Sequence, residues 1–170
     1  MIAPAIETHS EEKLPLTVLA VDDNPANLKL ITALLKERVE TVISCTNGQQ
    51  AIDKATSTPF DIIFMDIQMP QMDGVTACKH IKKLANNANT PIIAVTAHAM
   101  MGERDRLLAA GMDDYLTKPI EEHVLQQVLL HWSPASEVEH INKIDPEHPA
   151  VAVEIDNSPV SYTHLTLPTT

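Results

Sequence analysis

Aromatic side chains make up only 3% of this 170-residue chain, so its core must be built from aliphatic residues rather than rings. Cysteine is almost as scarce. Cys45 and Cys78 stand alone without C-x-x-C spacing, which excludes the disulfide framework of a small secreted domain and points to a reducing compartment. Basic charge is short as well: 12 Lys plus Arg against 23 Asp plus Glu give a formal net charge of -11, with no basic cluster. Such a chain is poorly suited to nucleic-acid phosphates and better suited to protein partners and cations. No apolar run approaches the ~20 residues that a membrane-spanning helix needs, and the opening MIAPAIETHSEEKLP lacks the basic flank and apolar stretch of a signal peptide. A glycine-rich nucleotide loop is missing, and the 8 His show neither H-x-x-x-H nor H-E-x-x-H pairing. Neither an ATP site nor a histidine metal site is therefore expected.

What is present is the material of one soluble domain: 44% apolar and 21% charged residues over a length that holds one ordinary domain and a tail. Residues 1–15 are polar, proline-punctuated and aperiodic, and read as the end of a linker. Leu16 to Val21 is a short apolar run closed by Asp22 and Asp23, the form of a strand buried on both faces of a parallel sheet. Asn24 then suits an N-cap, Pro25 the first helical position, and Leu28, Ile31, Leu34 and Leu35 an apolar helix stripe. The alternation repeats with strands at 41–45, 62–66, 92–96 and 115–117, and helices at 49–56, 75–84, 103–110 and 121–131. Gly111 is placed to stop the fourth helix. Five strands alternating with five helices predict a doubly wound α/β domain over residues 16–132, with ligands at the carboxyl ends of the strands.

At those ends lie Asp22 and Asp23 after the first strand, Asp66 at the third, Thr96 at the fourth and Lys118 after the fifth. An Asp at a strand end is most often a cap or a solvated turn, and Tyr115 taken alone is a packed edge residue. The joint placement changes that reading. Three carboxylates held together repel one another, each pair by about 4 kcal/mol at an intermediate dielectric, and Lys118 offsets only part of it. A hard cation with oxygen ligands, Mg²⁺, is expected, with Asp23 and Asp66 as direct ligands, the main-chain carbonyl of Gln68 as a third, and Asp22 acting through water. Phosphoryl transfer needs an in-line nucleophile and neutralisation of the equatorial oxygens. Asp66 is the candidate nucleophile, Lys118 and Mg²⁺ the electrostatic stabilisers, and the Thr96 hydroxyl a hydrogen-bond donor to the arriving group. Ala97 is small enough to leave the approach open. Met69, Pro70 and Gly74 read as turn chemistry, the two cysteines as small packed residues, and Met100, Met101 and Met112 as ordinary fillers near the fourth helix.

The stretches VDDNPAN, FMDIQMPQMDG, VTAHAM and DDYLTKP resemble, in this order, the receiver domains of two-component response regulators and hybrid histidine kinases. The longer strings VDDNPANLKLI, MDIQMPQMDG, IAVTAHAM and GMDDYLTKPIEE resemble most closely the receiver of BarA/GacS-type hybrid sensor kinases. The resemblance implies a flavodoxin- and CheY-like sheet of order 2-1-3-4-5 and a phosphoacceptor at Asp66. It also implies a switch in which Thr96 moves toward the phosphoryl group and Tyr115 turns inward, and a cis bond between Lys118 and Pro119. Its partners would be a transmitter domain that donates from phosphohistidine and a histidine phosphotransfer domain that receives. The fragment would catalyse its own phosphorylation and autodephosphorylation, as a cytoplasmic domain of a hybrid histidine kinase seated in the bacterial inner membrane. His98 lies where the family varies and is expected to tune the phosphoryl lifetime.

Residues 133–170 read as a flexible acidic linker, with 161–170, SYTHLTLPTT, as a cloning or sequencing scar. A free-standing single-domain response regulator is the serious alternative. A haloacid-dehalogenase-type phosphatase would want a second Asp where Gln68 stands, and a flavodoxin-like cofactor binder would want hydroxyls where DDNPAN places carboxylates.

Overall fold

The computed structural model describes residues 12–98 and 100–134, and the expectations for the segments outside them concern undescribed residues. Strands β1 (Leu14–Val21), β2 (Val39–Cys45), β3 (Ile62–Asp66), β4 (Ile92–Thr96) and β5 (Asp114–Thr117) alternate with helices α1 (Pro25–Lys36), α2 (Gly48–Ser57), α3 (Gly74–Ile81), α4 (Glu103–Ala109) and α5 (Glu122–Trp132). The strands form one sheet of order β2-β1-β3-β4-β5, and every pairing is parallel. Both β3 and β4 are buried along their whole length because helices cover both faces. One face packs α2, α3 and α4 through Ala51, Ala55, Ala77, Cys78, Ile81 and Leu107. The other packs α1 and α5 through Ile31, Leu35, Leu125, Val128 and Leu129.

Local chemistry sets the helix ends. The Asn24 side chain accepts from the Ala26 and Asn27 amides at 2.9 and 3.1 Å, ahead of Pro25. Helix α4 closes with Gly111 at φ +104, the Gly111 amide bonding Leu108 and the Met112 amide bonding Leu107, so that buried Met112 meets buried Leu107 across the stop.

Three expectations shift. Strand β1 begins at Leu14, within the segment read as linker, because the Leu14 amide bonds the Arg38 carbonyl and Leu14 pairs with Val39. Helix α3 stops at Ile81 instead of reaching Leu84. Fully buried Asn87 pins the following turns: its side chain accepts from the Phe60 amide and donates to the Ala55 and Thr58 carbonyls. Met100 and Met101 are not fillers, since they are 72% and 103% exposed, whereas Met112 is buried. The cysteines are packed, and burial pushes both thiols up, Cys78 to about 11.

Candidate functional site

The sheet brings the carboxyl-edge residues together at the point where strand order reverses, between β1 and β3. Val21 is in register with Met65, so Asp22 leaves β1 beside Asp66 at the end of β3. Thr96 ends β4 opposite Thr117, and Lys118 follows directly. The amide of Lys118 bonds the Thr96 carbonyl at 2.8 Å, and its peptide bond to Pro119 is cis, as the resemblance implies.

The Lys118 ammonium lies 3.0 Å from Asp22 Oδ2 and 3.1 Å from Asp66 Oδ1. Asp22, Asp23 and Asp66 each offer an oxygen within 4.8 Å of the others, with Asp23 exposed and the other two buried. Asp22 is held in place by the Asn24 amide at 2.8 Å, and Asp66 receives the Gln68 amide at 3.3 Å. Burial pushes the Asp66 carboxyl up to about 6; the Lys118 hydrogen bond works against this and the Asp22 charge adds to it. Burial alone would lower the Lys118 ammonium, but its bonds to Asp22 and Asp66 outweigh that and raise it. A pocket with three carboxylates and one ammonium is short of positive charge. The donor set is all hard oxygen, which fits a small divalent cation.

The loop after Asp66 is shaped by close approach. A Cβ on Gly74 would sit 2.2 Å from the Asp66 carbonyl oxygen, so only glycine lets α3 start there, and the Gly74 amide bonds the Ile67 carbonyl at 3.0 Å. Within the same loop Gln71 has φ +70, and the Met72 amide closes onto the Pro70 carbonyl at 2.8 Å, forming a strained γ-turn. Asp73 caps α3 by accepting from the Thr76 amide at 2.8 Å, a bond that holds its carboxyl below the usual range.

Thr96 is 2% exposed, and its hydroxyl is engaged within its own turn, accepting from the His98 amide at 3.1 Å and donating to the His98 carbonyl at 3.3 Å. Tyr115 is half-buried against the α2, α3 and α4 side of the core. Ala97 and His98 are exposed beside Thr96.

An open cleft of about 540 Å³ adjoins this site, with Ile67, Met69 and Val75 as its apolar wall and Gln68, Asp73, Thr96, Glu103 and Arg106 as its polar one. The Arg106 guanidinium makes a two-point bond to Glu103, at 3.0 and 2.8 Å. Sequence reading missed both this cleft and the Glu103–Arg106 pair. The i,i+3 spacing of the pair was visible, but its position beside Thr96 depends on where α4 packs.

The model of the response regulator receiver domain matches residues 18–130. The chain belongs to this family. This receiver is 58% identical over 126 residues to the signal transduction histidine-protein kinase BarA of Escherichia coli K12, covering 74% of the chain but only 14% of BarA. Among solved structures it is similar to the receiver domain of the sensor histidine kinase PA1611 from Pseudomonas aeruginosa PAO1, which has a magnesium ion coordinated in its active-site cleft. That likeness has a TM-score of 0.65 and 39% identity over 70% of this chain and 98% of that one. It is also similar, at TM-score 0.65 and 28% identity over 72% of this chain and 92% of that one, to a co-crystal structure from Saccharomyces cerevisiae. That structure joins the histidine phosphotransfer signaling protein Ypd1 to the receiver domain of its downstream response regulator Ssk1. The receiver fold, with sheet order 2-1-3-4-5, is thus shown by topology and by relatives alike. Among the described residues no helix is long and apolar enough to cross a membrane.

Proposed function

We propose that this receiver takes a phosphoryl group from a transmitter phosphohistidine onto Asp66 and passes it to a histidine phosphotransfer domain. The observation that carries the reading is a buried Asp66 carboxylate 3.1 Å from the Lys118 ammonium and within 4.8 Å of two further carboxylates. An Asp66 oxygen attacks the phosphorus, the bond from phosphorus to the donor's imidazole nitrogen breaks, and an aspartyl phosphate remains. Lys118, anchored by Asp22, stays in place to meet the charge on the transferred oxygens without reorganising. Thr96 would first have to exchange its bonds to His98 for one to a phosphoryl oxygen. That exchange ties the state of Asp66 to the turn leading into α4, and Tyr115 on the neighbouring strand is the second switch residue.

Asp23 and Asp66, the main-chain carbonyl of Gln68, and Asp22 through water would hold Mg²⁺. Bound there, Mg²⁺ supplies the positive charge that the carboxylates lack and neutralises the incoming phosphoryl oxygens. The similarity to BarA, of which the chain covers 14%, supports a place inside a longer histidine kinase; in our reading that kinase is anchored in the inner membrane with this domain on its cytoplasmic side.

Incubation with acetyl phosphate and Mg²⁺, followed by intact-mass analysis, tests the reading. Wild type should gain one phosphoryl group and Asp66→Asn none. Equal labelling of both would overturn it.

A further inference from the structure

We propose that the Asp114 carboxylate carries the state of Asp66 around the edge of the sheet to the last turn of α5, where it shifts the Trp132 indole as Tyr115 turns inward. The proposal rests on the phosphorelay reading, with Tyr115 as its switch residue, and takes that switch to the end of the domain opposite the phosphoacceptor. Asp114 opens β5 three residues before Thr117, which is level with Thr96, so it lies about 10 Å from the carboxyl edge. Both of its oxygens are in use: Oδ1 accepts from the Tyr115 amide at 2.8 Å and Oδ2 from the Trp132 indole at 2.9 Å. Tyr115 packs with α2, α3 and α4, whereas Trp132 packs with α1 and α5. One carboxylate thus joins the two faces of the sheet at its edge strand.

A carboxylate is planar and rigid, so its two oxygens move as one. When the Tyr115 ring turns inward its peptide tilts, and Oδ1 follows the amide from which it accepts. Oδ2 then moves against the indole, which either follows or gives up its bond. Those are two discrete arrangements of one element, the condition for coupling between distant positions. The start of β5 is too well held to absorb the movement by sliding. Asp113 accepts from Lys82 at the end of α3 at 2.7 Å and from the Ile92 amide at 2.8 Å, and its own amide donates to the Ile92 carbonyl at 2.9 Å. Asp113 is therefore the pivot and Asp114 the arm.

Trp132 is the single tryptophan of the chain, so its emission reads this arrangement without an added label. An ion held at the carboxyl edge does not touch the indole, and a change in emission on adding beryllofluoride and Mg²⁺ is therefore carried through the protein. Wild type should show a saturable change and Asp66→Asn none. Asp114→Asn is nearly isosteric but offers one acceptor oxygen to two donors, so it should cut the change at least about three-fold while acetyl phosphate labels it as it labels wild type. Asp114→Ala should do the same. Hydrogen exchange at the amides of residues 129–132 should differ between free and beryllofluoride-treated wild type, and not in Asp114→Asn. A wild-type emission that stays level although acetyl phosphate labels the protein, the same change in Asp66→Asn, a change that survives in Asp114→Asn, or equal loss of emission change and labelling would each overturn the coupling. Failure of acetyl phosphate to label wild type would instead remove the phosphoacceptor reading beneath it.

Discussion

Replacing Asp66 with Asn should stabilise the metal-free domain at neutral pH while removing the proposed phosphoacceptor. Asp66 is 3% exposed, and burial, with the Asp22 charge adding to it and Lys118 opposing, pushes its carboxyl from 3.8 up to about 6. A gap of about two pH units, at about 1.4 kcal/mol each, makes ionised Asp66 cost the fold about 3 kcal/mol when no cation is added. The folded protein binds this proton more tightly than the unfolded chain. Unfolding free energy therefore falls as pH rises from about 4 to about 6, and this contribution is level above that. Asn removes the charge but also forfeits the ion pair with Lys118, so a net gain of about 1–3 kcal/mol is expected at pH 7.5 in chelator. For a domain of this size that is a rise in Tm of about 4–12 °C. Near pH 4, where wild-type Asp66 is protonated in the fold, the two proteins should converge. Mg²⁺ should act in the opposite sense. At ten times its Kd it stabilises wild type by about 1.4 kcal/mol, and the Asn variant, one ligand short, by less. Urea unfolding at pH 4, 5 and 7.5, with EDTA or with Mg²⁺, measures all of this. An Asn variant no more stable than wild type in EDTA at pH 7.5, or an advantage undiminished at pH 4, would refute the reasoning.

Gly74→Ala forces a Cβ to 2.2 Å from the Asp66 carbonyl, so a loss of about 2–4 kcal/mol in chemical unfolding is expected, with slower acetyl phosphate labelling. Asn87→Ala strips the buried turns between α3 and β4 of bonds to Phe60, Ala55 and Thr58. It should cost about 3 kcal/mol by urea unfolding and leave labelling of the folded protein unchanged. Gln71→Gly relieves a side chain held at φ +70 and should raise stability by about 1 kcal/mol in the same assay.

The carboxyl-edge positions were legible because they end short, fully apolar runs. Ile62 to Met65 can only be a buried strand, and the charge that follows it must lie at its carboxyl edge. Pattern alone set the helix starts at Asn24–Pro25 and the stop at Gly111, where single residues carry the geometry. What stayed hidden depends on contacts between distant segments. Leu84 fits the α3 periodicity, but Asn87 reaches across to Phe60 and Ala55 and ends the helix early. Methionines at 100 and 101 fit a core by composition, yet the chain turns them outward before α4. Nor does any string of letters reveal that the Thr96 hydroxyl is bonded to the turn at His98.

The most direct measurement is chemical trapping of the acyl phosphate. After acetyl phosphate treatment with Mg²⁺, borohydride reduction and peptide mapping should find homoserine at position 66, and chelation of Mg²⁺ should abolish it. Reduction at another carboxylate, or a yield unaffected by chelator, would contradict a phosphoacceptor built from Asp66, Lys118 and a cation held by the acidic cluster.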